Sequence, residues 1–198
     1  MEVTLGFKAH SGWAALVVLG ASADDFLVID RKRIELVDEL WAKAPYHAAE
    51  TLELKAAREL VRRGVEAAYR VALREVKAIV EVQRQKGNTV KASAVLVGSP
   101  MPEWSTDEIL AVHFRMHKAE GKLFQDALSR ASQACGLRVV AVPEKSLAVH
   151  AEKAMGIRAT RLSEEMAAMG KTLGPPWGKD QKDSALAAWV ALKGALKG

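Results

Sequence analysis

Three small groups of residues have the types and spacings that carry chemistry. His113 and His117 stand four residues apart, with Glu120 three further on. On a helix these two imidazoles and one carboxylate share a face, a set suited to a zinc-type ion. Metalloproteases place a glutamate directly after the first histidine, and Phe114 stands there instead, so two surface histidines are the competing reading. Asp180 and Asp183 share one face of the first turn of a predicted helix, where capping and the helix dipole account for both. Lys8 and His10, in the first hairpin, gather cationic side chains that would attract an anion such as a phosphate.

Other chemistries lose support. Ser11, Ser99 and Ser146 lie in no Gly-x-Ser-x-Gly frame, and the glycines form neither a Walker nor a dinucleotide fingerprint, which argues against serine hydrolases and nucleotide-cofactor enzymes. Cys135 is the sole cysteine; it cannot form an internal disulfide, and its apolar helix-end setting predicts an inert, buried thiol. Trp104, Trp177 and Trp189 suit core anchors or, alternatively, platforms for an unstacked base.

The elements that position these residues follow from pattern. Val3–Lys8 and Trp13–Leu19 are short apolar runs joined at Ser11-Gly12, followed after Ala23-Asp24-Asp25 by Phe26–Asp30 and Arg33–Val37, and together they predict an antiparallel meander. From Tyr46 to about Lys86 apolar residues recur at three- and four-residue steps, predicting a long amphipathic helix with a break or bend near Gly64. Its opposite face carries Arg62, Arg63, Arg70, Arg74, Lys77 and Arg84, a solvated face or a surface that tracks phosphates. Ala92–Val97 is a continuous apolar run suited to a central strand covered on both sides. A helix capped at Ser105 or Thr106 is expected to run to Gly136, and Leu137–Val142 to form a second buried strand stopped by Pro143. Helices over Ser146–Met155, about Arg161–Lys171 and about Asp180–Leu196 complete the chain.

This order predicts an α/β fold. Three antiparallel strands are followed by two that pair in parallel through helical crossovers, giving a mixed five-stranded sheet flanked by helices. A length of 198 residues suits one domain over 1–198. Hydrophobic residues at 49% and charged residues at 27% exclude a disordered or fibrous chain. There is no apolar run long enough to span a membrane, and MEVTLGFKAH lacks the features of a secretion signal, so a cytoplasmic protein is expected. A net charge of +5 and a pI near 9.3 fit an acidic polymer as partner.

The element order resembles the ribonuclease H-like fold, and at both ends of the chain it is similar to the RuvC-type Holliday-junction resolvases. Leu5-Gly6-Phe7-Lys8 followed by Gly12-Trp13-Ala14-Ala15-Leu16-Val17 looks like that family's first hairpin. The family's first catalytic aspartate falls on Lys8, which cannot ligate a divalent cation. Asp180-Gln181-Lys182-Asp183-Ser184-Ala185-Leu186-Ala187-Ala188-Trp189 is similar to the final helix, and here both carboxylates match. Between the ends, the stretch from His117 to the Lys145-Ser146 helix follows the family's helix–strand–helix order. A second family carboxylate, a glutamate ending the central strand, falls near Gly98 or Ser99, and neither is acidic.

The resemblance therefore implies a catalytically degenerate domain that binds nucleic acid or a protein partner. Lys8, His10, Asp180 and Asp183 would surround the old site, with Lys118, Lys122, Lys179 and Lys182 as phosphate contacts and His10 acting on a substrate phosphate. It also leaves open an active Mg²⁺-dependent nuclease, with Asp180 and Asp183 as metal ligands joined by Asp30 or Glu120. A protein-interaction domain without a nucleic-acid role is the third reading. A homodimer is expected by the same analogy, because a four-way junction has two-fold symmetry.

Overall fold

Strict alternation in the first strand sets the architecture. In the computed structural model, which describes residues 1–22, 25–156 and 158–195, Val3, Leu5 and Phe7 turn to one face of the sheet and join a fully buried apolar cluster. The intervening Thr4, Gly6, Lys8 and His10 turn to the other face, as the two-residue period of a strand requires. The strands are β1 (Glu2–His10), β2 (Trp13–Ser22), β3 (Asp25–Glu35), β4 (Thr89–Val97) and β5 (Arg138–Pro143). They form one mixed sheet in the order β3-β2-β1-β4-β5. The β1–β2 and β2–β3 pairs are antiparallel, while β4 lies parallel to both β1 and β5.

Helices cover both faces. On one side lie α1 (Pro45–Ala49), α2 (Leu54–Gln85), α3 (Thr106–Leu110) and α4 (His113–Ala134); on the other lie α5 (Leu147–Met155), α6 (Ala159–Leu173) and α7 (Lys179–Ala195). The first core joins Phe7, Leu16 and Val95 of the sheet to Ala68, Val76, Phe124 and Leu128 of α2 and α4. Two smaller clusters seat α7 on the opposite face through Ala185, Ala188, Trp189 and Leu192 and through Ala187 and Ala191. The alanines keep α7 close to the strands. Among the described residues no helix is long and apolar enough to cross a membrane.

Five expectations are corrected. Phe26–Asp30 and Arg33–Glu35 belong to one strand, β3, with Leu36 and Val37 beyond its end, and its pairing with β2 shifts register between Val18 and Leu19. The helix expected from Tyr46 to about Lys86 is broken at 50–53 into α1 and α2, whereas Gly64 does not interrupt α2, which stays helical over about 48 Å at 1.5 Å per residue. The glycine instead admits Pro45, since a Cβ there would stand 2.4 Å from the Pro45 Cβ. The helix after Ser105 is two helices: α3, opened by a capping box between Ser105 and Glu108, ends at Leu110, and α4 starts anew at His113. β5 is an edge strand, half exposed rather than buried on both sides. Cys135 is half-buried rather than enclosed, and burial pushes its thiol pKa up. The turn at Ala23-Asp24 and the expected helix end at Leu196 lie outside the described residues.

Candidate functional site

The polar stripe of β1 meets the first turns of α7 residue by residue. Thr4 Oγ1 donates to the Ala188 carbonyl at 2.9 Å. Gly6 faces Ser184 so closely that a Cβ on it would fall 1.9 Å from the Ser184 carbonyl oxygen. On β2, the Ala15 carbonyl accepts from Ser184 Oγ at 3.2 Å. The loop entering α7 is held by Arg31 of β3, whose guanidinium donates to the carbonyls of Leu173, Gly174 and Pro176. Gln181 Oε1 accepts from the Gly178 N–H, so the start of α7 is capped by Gln181. Asp180 and Asp183 are thereby left to point at β1.

Lys8 receives them. Its Nζ lies 2.7 Å from Asp183 Oδ2, 2.8 Å from Glu144 Oε1 and 3.3 Å from Asp180 Oδ1. Two residues on, His10 Nε2 lies 3.0 Å from Asp180 Oδ2. Glu144 follows directly on β5, and Lys179 of α7 adds a second ammonium to Asp183 and Glu144. The Lys8 side chain is only 8% exposed. Burial works against its charge, but hydrogen bonds to Asp183 and Glu144 outweigh that and hold its pKa above the ordinary lysine value.

The arrangement is a set of three carboxylates whose common point is filled by an ammonium group. A hard divalent cation such as Mg²⁺ needs oxygen ligands at about 2.0–2.1 Å, and Lys8 Nζ holds the position those oxygens share. With Lys8 and Lys179 both charged, the cluster's three negative charges are largely neutralised from within. The residues as they stand do not fit Mg²⁺.

The cluster sits where a parallel sheet concentrates binding groups. Lys8 and His10 end β1, Gly98 and Ser99 follow β4, and Glu144 follows β5, so all lie at the carboxyl ends of the parallel strands. Next to them His10 stacks on Trp13, with ring centroids 4.2 Å apart and planes at 12°, and the Arg33 guanidinium stands 4.1 Å from the Trp13 ring centre.

Of the residues singled out in the sequence, the structure brings Lys8, His10, Asp180, Asp183 and Lys179 together. Lys182, next to Asp183 in the chain, lines a shallow depression with α6 and Trp177. Lys118 and Lys122 line a separate groove with Gly98, Ser99 and Pro100 at the end of β4, where Lys122 also pairs with Asp126. Asp30 pairs with Val18, which pairs with Leu5, placing it two strands away from Lys8. Glu120 is on the other face of the sheet, bonded to His47. Arg62, Arg74 and Arg84 of α2 are engaged by neighbouring carboxylates, the pattern of a solvated face. Trp189 is buried, Trp177 donates to the Met166 carbonyl, and Trp104 lies beneath Arg115, so all three are anchors. Glu144 was not singled out, although an acid directly after a strand-stopping proline was a usable signal.

No protein-family model and no curated protein matches this sequence. Solved structures do. The Thermus thermophilus RuvC structure superposes with a TM-score of 0.51 at 13% identity, covering 99% of this chain and 96% of that one. T. thermophilus RuvC in complex with a Holliday-junction substrate gives 0.52 at 12% identity, with the same coverage. The fold is ribonuclease H-like. Within it, the RuvC-like layout spans nearly the whole chain, including β1 and α7, the two elements that supply Lys8 and the aspartates.

Proposed function

We propose that this RuvC-like domain binds nucleic acid at the carboxyl end of its sheet without cleaving it by a two-metal route. The observation that carries the reading is the Lys8 ammonium seated among Asp180, Asp183 and Glu144. Two-metal hydrolysis needs converging carboxylates free to hold cations, and here an internal cation takes their charge. Lys8 holds the three acids in place, while His10 fixes the second oxygen of Asp180.

Binding is supported by the charge and chemistry of the same edge. The chain carries +5 overall. Lys179 and Lys182 flank the cluster, and Lys118 and Lys122 line the adjacent groove. Lysines contact phosphate oxygens and so give affinity with little sequence preference. The RuvC structure solved with a Holliday junction makes branched DNA the first ligand to try, and a two-fold dimer of this chain is the assembly suited to it.

The deciding experiment measures binding to single-stranded, duplex and four-way-junction DNA in chelator and in Mg²⁺, with cleavage scored in parallel. Four lysine–phosphate contacts give a log–log salt slope of about −3.6, a loss of several hundred-fold between about 50 and 300 mM salt. Salt-steep binding in chelator without cleavage is the expected result. Mg²⁺-dependent cleavage abolished by Asp183→Asn would instead establish the active nuclease. The absence of binding to all three DNAs would overturn the DNA reading and leave the protein-interaction domain.

A further inference from the structure

On the opposite face of the sheet from Lys8, three histidines from two helices converge. His47 lies in α1, and His113 and His117 lie one turn apart at the start of α4. A ring nitrogen of each lies within 4.8 Å of one from each of the others. The closest pair, His113 Nε2 and His117 Nε2, is 3.1 Å apart. The ring centroids form a nearly regular triangle, at 5.0 Å for His47–His113, 4.6 Å for His47–His117 and 4.7 Å for His113–His117. Metal–nitrogen bonds of 2.0–2.1 Å in a tetrahedral site place ligand nitrogens about 3.3 Å apart. One pair already meets that spacing, and the exposed His113 and His117 rings can turn to close the rest.

The groups behind the rings matter as much as the rings. His47 Nδ1 lies 2.6 Å from Glu120 Oε2, and the His47 backbone N–H donates to Glu120 Oε1 at 3.1 Å. Glu120 is buried and wholly committed to holding this one histidine. A proton fixed on Nδ1 leaves the Nε2 lone pair of His47 free to ligate. Similarly, Glu50 Oε1 sits 3.3 Å from His113 Nδ1, leaving Nε2 to face His117. Carboxylates hydrogen-bonded to the far nitrogen of a ligand histidine fix its tautomer and raise its basicity.

We propose that His47, His113 and His117 form a binding site for one divalent transition-metal ion of the Zn²⁺ class. Glu120 and Glu50 act as orienting groups, and the fourth position faces solvent. Three imidazoles select borderline ions such as Zn²⁺, Co²⁺ or Ni²⁺ over Mg²⁺ and Ca²⁺, which prefer oxygen. The sequence pattern His113/His117/Glu120 is thereby reassigned, because the glutamate positions a ligand and the third ligand is His47. The ion would tie α1 to α4 and leave one coordination position for water or an anionic ligand. This site is independent of the Lys8 cluster and of nucleic-acid binding.

The test uses tag-free protein stripped with chelator and titrated with Zn²⁺ by calorimetry and with Co²⁺ by visible absorption. One equivalent per chain, with the intense d–d bands of low-coordinate Co²⁺, is expected. His47→Ala and His117→Ala should each weaken Zn²⁺ binding at least 100-fold, and Glu120→Gln about 10-fold. Should His47→Ala or Glu120→Gln disturb folding, His113→Ala serves in their place, since that side chain is 61% exposed. Zn²⁺ should also raise the thermal midpoint of the wild type and not of His113→Ala. No stoichiometric Zn²⁺ binding, or binding that survives His113→Ala and His117→Ala together, would overturn the assignment.

Discussion

Lys8 Nζ lies 2.7 Å from Asp183 Oδ2, and the distance depends on a glycine two residues earlier in the same strand. Gly6 lets the α7 backbone at Ser184 press against β1, which brings the next residue toward the N-terminus, Asp183, within reach of Lys8. The ion pair is therefore a consequence of helix–strand packing, and packing and charge can be varied separately.

Replacing Lys8 with Met tests the charge. Breaking a fully buried ion pair by removing one partner costs about 3–5 kcal/mol. Glu144 is 44% exposed and Asp180 28%, so screening lowers the expected loss to about 2 kcal/mol. The three carboxylates would then face one another without a counter-ion, and Mg²⁺ should restore part of the stability. Denaturant unfolding of wild type and Lys8→Met, each with chelator and with Mg²⁺, reads both effects. A wild type stabilised by Mg²⁺ as strongly as the variant would contradict the assignment of Lys8 as the internal cation.

Gly6→Ala tests the packing. The added methyl meets main chain, at 1.9 Å from the Ser184 carbonyl oxygen, and the Ala188 Cβ at 2.9 Å; neither can rotate away. Overpacking of this kind costs about 1–3 kcal/mol, and α7 must move outward. Because that movement also loosens Asp183 from Lys8, the double variant Gly6→Ala/Lys8→Met should lose less than the sum of the singles. Strict additivity in a double-mutant cycle would mean that α7 tolerates the methyl without shifting.

The Lys8 pKa gives a pH signature with a definite sign. It is raised in the folded state above the ordinary value of 10.5, so the stabilisation is fully present below that value and is lost as pH climbs through the folded pKa. The stability difference between wild type and Lys8→Met should be flat from about pH 7 to 10 and shrink above the unfolded value. Urea unfolding at stepped alkaline pH measures it. A difference that shrinks already at neutral pH would point to a group other than Lys8.

Local rules made much of this legible in the sequence. The apolar runs Val3–Lys8 and Trp13–Leu19, joined at Ser11-Gly12, mark the first hairpin, and the strand–helix–strand–helix–strand order that follows implies parallel pairing of the later strands. Lys8, His10, Asp180 and Asp183 sit at strand and helix ends that pattern alone locates. What pattern does not encode is lateral order and distant partnership. Leu137–Val142 is as apolar as an interior strand, yet β5 lies at an edge. The break before His113 leaves no mark in the pattern, because the apolar period continues across it. His47 meets Glu120 from 73 residues away, a distance no spacing rule spans. Gly64 read as a helix weakness because its use, admitting Pro45, is a tertiary contact.

The lysines at the start of α7 separate phosphate contact from maintenance of the cluster. Lys182 makes none of the ion pairs that bind Lys179 to Asp183 and Glu144, although both project near the same edge. Removing one phosphate contact lowers the salt slope by about 0.9 and weakens binding across all DNA sequences alike. Lys182→Ala should do this without altering stability. Lys179→Ala should lower the slope by less, because its charge is already shared with Asp183, and should slightly destabilise the fold. Competition binding of the two variants across a salt series, beside their unfolding curves, distinguishes them. An unchanged slope in Lys182→Ala would move the nucleic-acid path away from α7 and toward the groove lined by Lys118 and Lys122.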